Sequence, residues 1–234
     1  MPKPPRVTPL AFALALGAAL PAAAQSSPWY AGLSFGQSRT DDALVANREA
    51  TIANASAVST DFDAKDTAWR LLAGYRFLGY FALEAGYADY GSARMATTFL
   101  SADGTTGPGT PGGVRTNRDV AGFGLDLVAT APLGERLGLF GRLGWLRAEV
   151  DAQAEISGNT RFSDGLGGTT RSSSVKEDVL KYGIGLSWTI APNADLRLEW
   201  ERLVDVGRPF APGETGTTGE ADVDTWLLGL AWRF

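Results

Sequence analysis

The chain has 234 residues, with 29 glycines, seven tryptophans, 44% hydrophobic residues, no cysteine, no histidine and a formal charge of −5. This excludes a disulfide framework, a catalytic thiolate or Ser-His-Asp triad, and nucleic-acid binding through a broad basic face. After residue 24 no apolar run is long enough for a spanning helix, which excludes a helical membrane protein.

Met1 to Ala24 combines Lys3 and Arg6, an apolar run from Leu10 to Leu20, and Ala22-Ala23-Ala24 before Gln25. That pattern predicts a secretory signal peptide over residues 1–24, cleaved after Ala24, with one domain over 25–234. The run is too short for a membrane anchor, and Pro21 ends it.

From Gln25 onward, period-two alternation marks eight strands. The first runs from Trp29 to about Gln37, with Trp29, Ala31, Leu33 and Phe35 on one face. The second, about Thr67 to Phe77, turns Trp69, Leu71, Ala73, Tyr75 and Phe77 outward and Arg70, Gly74 and Arg76 inward. Leu78-Gly79-Tyr80 leads into the third, Phe81 to about Tyr90, with Glu84, Gly86 and Tyr90 inward. The fourth, about Asp119 to Ala131, has Ala121, Phe123, Leu125 and Leu127 opposite Gly122, Gly124, Asp126 and Thr130.

After Pro132-Leu133-Gly134-Glu135-Arg136, the fifth runs from Leu137 to about Val150, with Leu143 and Trp145 outward and Phe140 and Arg142 inward. The sixth, about Asp178 to Ile190, sets Leu180, Tyr182, Ile184, Leu186 and Trp188 against Lys181, Gly183, Gly185 and Ser187. Ala191-Pro192-Asn193-Ala194 turns the chain into the seventh, Asp195 to about Val206, where Leu196, Leu198 and Trp200 alternate with Arg197, Glu199 and Glu201. The eighth, Val223 to Phe234, alternates Trp226, Leu228, Leu230, Trp232 and Phe234 with Leu227, Gly229, Ala231 and Arg233. A hydrophobic strand at a chain end is a hazard in a soluble domain, because an open edge recruits other chains. In a closed barrel in lipid it has no free edge.

Eight strands can close antiparallel. Three connections are turns of a few residues, and four are long: about Ser38 to Asp66, Gly91 to Arg118, Asp151 to Glu177 and Gly207 to Asp222. Outer-membrane barrels keep short turns in the periplasm and long loops outside. The fold class expected is therefore all-β, an eight-stranded antiparallel transmembrane β-barrel with short periplasmic turns and four long extracellular loops. Those loops, such as Asp103 to Gly113, are rich in Gly, Ser, Thr, Asp and Pro and are expected to be mobile. Alternation dilutes hydrophobicity, so the mean hydropathy of −0.05 fits a lipid-embedded barrel. A soluble lipocalin-like barrel is the competing fold, and the turn asymmetry and terminal Phe234 favour the membrane.

Leu72-Ala73-Gly74-Tyr75-Arg76-Phe77 running into Phe81-Ala82-Leu83-Glu84-Ala85-Gly86-Tyr87, Phe140-Gly141-Arg142-Leu143-Gly144, and Leu196-Arg197-Leu198-Glu199-Trp200 carry a resemblance. They resemble the OmpA-like family of eight-stranded outer-membrane barrels, over essentially the whole chain after residue 24. The resemblance implies a lumenal charge cluster that plugs or gates the barrel, mapping to Glu84, Arg142, Arg197 and Glu199. A family acidic position on the sixth strand is Ser187 here, so the wiring differs. It also implies a monomer without cofactor or metal, in the outer membrane of a Gram-negative bacterium. Its partners would be outer-membrane lipid and the barrel assembly machinery, reached through the carboxy-terminal strand with Phe234 as assembly signal. Peptidoglycan anchoring, which some members achieve through an additional carboxy-terminal domain, is not among the expectations.

The inward charges also follow from physics, since an eight-stranded lumen is filled by side chains and buried charges must be paired. Arg70, Glu84, Asp126, Arg142, Lys181, Arg197 and Glu199 can compensate one another. Trp29, Trp69, Trp145, Trp188, Trp226 and Trp232 are expected at the interfaces or facing lipid. Asp41 and Asp42, and the group Asp61, Asp63 and Asp66, are better read as solvated loop acids than as a cation site, because the calcium-loop pattern is missing. The expected function is structural or surface-interacting, with the extracellular loops meeting an extracellular ligand or host surface. A narrow gated pore for small solutes or ions is the alternative, and an envelope enzyme a weaker one.

Overall fold

The computed structural model describes residues 27–50, 55–101, 111–158, 167–210 and 217–234. The expected signal peptide lies outside these residues, as does the loop segment 102–110. Among the described residues there are nine strands and one helix: β1 (Trp29–Thr40), α1 (Ala43–Ala50), β2 (Ala55–Asp63), β3 (Lys65–Phe77), β4 (Phe81–Ser101), β5 (Pro111–Pro132), β6 (Leu137–Gly158), β7 (Thr170–Ala191), β8 (Ala194–Arg208) and β9 (Gly219–Arg233). All neighbours pair antiparallel. β1 pairs with β3 on one side and β9 on the other, and β4 pairs with β5, so eight strands close a ring.

The ninth strand extends the ring upward without widening it. β3 pairs with the Phe81–Asp89 part of β4, while β2 pairs with the Arg94–Ser101 part above it. Together β2 and β3 form one wall interrupted at Ala64, whose carbonyl accepts the Thr40 amide. Beside the break, β4 shifts register between Asp89 and Ser92, with Gly91 at a φ of 73°. An added Cβ on Gly91 would lie 2.7 Å from the Thr67 carbonyl oxygen, so this close crossing needs glycine. Asp66 accepts the amides of Thr67 and Ser92, which makes this loop acid a bracket for the bulge.

The three short turns fall where expected, at residues 78–80, 133–136 and 192–193. Over the described residues, the four long links are largely regular structure. β4 to β7 run for 21 or 22 residues each, whereas a tilted strand needs only about 9–11 to cross a bilayer. Most of Gly91 to Arg118 and Asp151 to Glu177 is therefore strand, Ser38 to Asp66 holds α1 and β2, and Gly207 to Asp222 is shortened from both ends. The expected mobile loops are replaced, over the described residues, by a raised β-wall.

The physical reason is a change of face. Low on β6, Leu137, Leu139, Leu143 and Trp145 are exposed to the outside. From Arg147 upward the same outer parity carries Arg147, Glu149, Asp151, Gln153 and Glu155, while Leu146, Ala148, Val150, Ala152 and Ile156 are buried inside. β7, β8 and β9 do the same, with Val175, Val179, Leu203, Val206, Ala221 and Val223 buried. Apolar groups face lipid where there is lipid and face inward where there is water. Above the membrane the ring has the inside-out sense of a soluble barrel.

α1 closes the upper end. Asp41 accepts the Ala43 amide through its carboxylate at 2.8 Å, capping the helix. Leu44 is buried with Ala93, Met95, Phe210 and Ala221. The Arg48 guanidinium stacks 3.7 Å from the Phe210 ring centroid and donates to Thr116 at 2.9 Å. Burial pushes the Arg48 guanidinium down to about 10, which still leaves it charged at neutral pH.

Candidate functional site

The strand alternation that turns leucines toward lipid turns charged side chains from six of the strands into a common layer of the lumen. Arg70 comes from β3, Glu84 from β4, Asp126 from β5, Arg142 from β6, Lys181 from β7, and Arg197, Glu199 and Glu201 from β8. All eight are buried or nearly so, and the four cations balance the four carboxylates.

Arg142 is the hub. Its Nη2 lies 2.7 Å from Glu84, its Nη1 3.2 Å from Asp126 and 3.4 Å from Glu201, and its Nε 3.0 Å from Glu199. Arg70 bridges Glu199 at 2.8 Å and Glu201 at 3.1 Å. Lys181 reaches Asp126 at 2.9 Å, and Arg197 reaches Glu84 at 2.6 Å while stacking 4.4 Å from the Phe140 ring centroid. Tyr30 donates to Glu84 at 2.6 Å and Tyr90 to Glu201 at 2.7 Å.

The four residues expected to plug or gate the lumen, Glu84, Arg142, Arg197 and Glu199, are thus brought into one network. Glu201 is the member that strand reading left outside it. Its inward parity is evident, but nothing in the sequence says that Arg70 and Arg142, with Lys181 from the adjacent strand, converge on it. Tyr30 and Tyr90 were missed for the same reason. Gly74 makes room for Tyr30, since a Cβ there would lie 2.2 Å from the ring.

Apolar layers seal the lumen on both sides of the charges. Tyr30, Leu72, Ala82, Val128, Phe140 and Ala231 form one, and Leu146, Val150, Val179, Leu203, Val206 and Val223 are central to the other. Above the second layer, Arg118 is 1% exposed and donates to the Val206 carbonyl at 2.6 Å. Burial pushes its guanidinium down to about 10.

On the outside, Trp29, Trp188 and Trp232 lie at the periplasmic end, and Trp69, Trp145, Trp200 and Trp226 at the other, with aliphatic residues between. Trp29 packs edge-on against Tyr75 at 4.8 Å, and Trp69 meets Tyr87 at 5.6 Å. The Phe234 amide donates to the Trp29 carbonyl across the seam joining the first and last strands. Just above the upper girdle the outer face becomes charged, with Arg147 2.8 Å from Asp178 and Arg202 paired with Asp224. Two aromatic girdles around an aliphatic band are the outer-membrane pattern.

The model of the outer membrane protein beta-barrel domain matches residues 10–234. The chain belongs to that family. Membership places it in the outer membrane of a Gram-negative bacterium, with lipid around its aliphatic band. No curated protein matches the chain in sequence. Among solved structures it is similar to Neisserial surface protein A, at 15% identity and a TM-score of 0.43, covering 89% of this chain and 98% of that one. It is also similar to the N-terminal β-barrel domain of Pseudomonas aeruginosa OprF, at 13% identity and a TM-score of 0.43, covering 90% and 100%. The outer membrane protease OmpT from Escherichia coli is similar at 12% identity and a TM-score of 0.41, covering 90% and 98%.

Proposed function

We propose that this barrel is a closed, non-enzymatic anchor whose raised extracellular wall engages an external ligand or surface. The observation that carries the reading is the pair of open strand edges above the membrane. There, among the described residues, Thr170 to Val179 of β7 pair with β6 alone, because β8 meets β7 only from Lys181 downward. At the other end of the same raised sheet, β2 pairs with β4 alone among the described residues. An edge of unpaired amides and carbonyls is a template for an added strand. On β7 it is flanked by polar Ser172, Ser174 and Lys176, which keep it soluble until a partner arrives.

Closure of the lumen supports the same reading over a pore. An ion would have to part an eight-charge network and two apolar layers, and removing one member of a buried pair alone costs about 3–5 kcal/mol. The non-enzymatic part rests on the carboxylates of that network, which are buried and held by cations.

The test joins a measurement on the refolded protein with one on cells. In planar bilayers with insertion verified, the wild type and Arg197→Ala are expected to be silent, and discrete openings in the wild type would establish the pore instead. On cells, cutting the β6–β7 hairpin back from residues 152–173 to a short turn should leave insertion intact and abolish surface binding. Unchanged binding by that variant would sink the role of the wall.

A further inference from the structure

The periplasmic mouth holds a cavity at the lower edge of the lumenal network, with which it shares Arg197 and Tyr30. Its volume is about 30 Å³, and it is lined by Arg76, Thr130, Ser187, Asp195 and Arg197 beneath the Tyr30 and Phe140 rings. That is room for one or two water-sized groups.

The charges around it do not balance. Arg70, Arg142, Lys181 and Arg197 are matched by Glu84, Asp126, Glu199 and Glu201. Arg233 is matched by Asp195 at 3.0 Å, and Asp195 also accepts from Thr189 at 2.7 Å. Arg76 is the exception. Its side chain points inward from β3 and is half-buried, and among the described residues no carboxylate lies within ion-pair distance of it. Its guanidinium carbon sits 6.0 Å from the Tyr30 ring centroid, at the outer limit of a cation–π contact. Across the cavity Arg197 spends only one nitrogen on Glu84. The lining of the mouth therefore holds one guanidinium without an ion pair among the described residues, a second engaged with Glu84 through one nitrogen, and Thr130.

We propose that this mouth binds a single carboxylate presented from the periplasm, clamped between Arg76 and Arg197. A planar two-oxygen anion matches guanidinium forks and neutralises the excess of one charge. A cavity this small takes the carboxylate head and leaves the rest of the molecule outside, which fits a carboxylate at the end of an extended chain.

The test is side-chain NMR of the refolded protein in detergent micelles, following the Arg76 and Arg197 Nε–H signals during titration at constant ionic strength. Acetate, acetyl-dialanine and acetyl-dialanine amide are the probes, with inorganic phosphate as a fourth. Saturable shifts with acetate and the peptide acid, and none with the amide, are expected. Tighter binding of the peptide acid than of acetate identifies a chain end as the source, and equal binding identifies a free small acid. Arg76→Gln should weaken binding about tenfold or more, the scale of one charged hydrogen bond. Arg76→Lys should recover part of it, and Arg136→Gln on the neighbouring turn should change nothing. Thr130→Val, which keeps every charge, is expected to weaken binding a few-fold and serves if Arg76→Gln does not fold. No saturable shift, equal binding of the amide, preference for phosphate, or unaltered affinity in Arg76→Gln would each overturn the proposal.

Discussion

The lower and upper halves of this barrel are built by the same strands with the same inward and outward alternation, yet they bury opposite chemistry. In the lower half the lumen holds charge, with Arg142 touching four carboxylates, and the outside holds leucine and tryptophan. In the upper half the lumen holds Leu146, Val150 and Leu203, and the outside holds arginine and glutamate. The crossover occurs within two residues, between Trp145 and Arg147. Backbone geometry alone does not decide which face is apolar. The surrounding solvent does, and the sequence changes parity at the level where lipid gives way to water.

The strongest way to break the comparison is at the lower core. Arg142→Met removes the hub and leaves Glu84, Asp126, Glu199 and Glu201 sharing too few cations. We expect a loss of about 3–5 kcal/mol, read from urea unfolding in lipid vesicles. A loss below about 1 kcal/mol would mean that the network is hydrated enough to tolerate an unpaired charge.

Leucines separate the halves next. Leu146 is fully buried in the upper core, and its replacement by alanine should cost about 2–5 kcal/mol, depending on how far the pocket collapses. Leu143, three residues earlier, is exposed to lipid, and Leu143→Ala exchanges one lipid contact for another at much smaller cost. Equal effects in vesicles would show that the faces do not switch. A charge sharpens the same boundary: Leu230→Arg, in the aliphatic band, should cost about 2–4 kcal/mol, and Gln153→Arg, above it, close to nothing. Unfolding of the two variants side by side measures the difference.

The lower half was largely readable in the sequence because lipid enforces an uninterrupted apolar face, as in Leu137, Leu139, Leu143 and Trp145. The inward charges stood out against it, so Glu84, Arg142, Arg197 and Glu199 were recognisable. Glu201 and the two tyrosines were not, since their partners lie across the ring and 50 or more residues away, apart from Lys181. The upper strands escaped for a different reason. Where the apolar face changes parity, a reading that follows one face sees the pattern stop. The inner face there relies on short residues such as Ala148, Ala152 and Ser173, beside a Ser172-Ser173-Ser174 run that has the composition of a loop.

The smallest expected effect lies at the upper rim, where Glu220 faces Asp205, Glu177 and Asp222. Partial burial, then these three like charges, hold its carboxyl above the ordinary glutamate range. Because the folded form binds this proton more tightly than the unfolded chain does, stability rises as pH falls through the raised folded-state value. The gain is complete below the unfolded value, and it is absent at neutral pH, where the charge is present in both states. Protection factors of the amides at β9 residues 219–223, which are exchange rates corrected for their intrinsic pH dependence, should therefore rise modestly on mild acidification in the wild type. Glu220→Gln should remove that dependence while leaving exchange around Arg142 unchanged, because the lower network is separated from the rim by the Leu146 and Leu203 layer. Identical acid responses in the two proteins would assign the rim's pH sensitivity to another carboxylate.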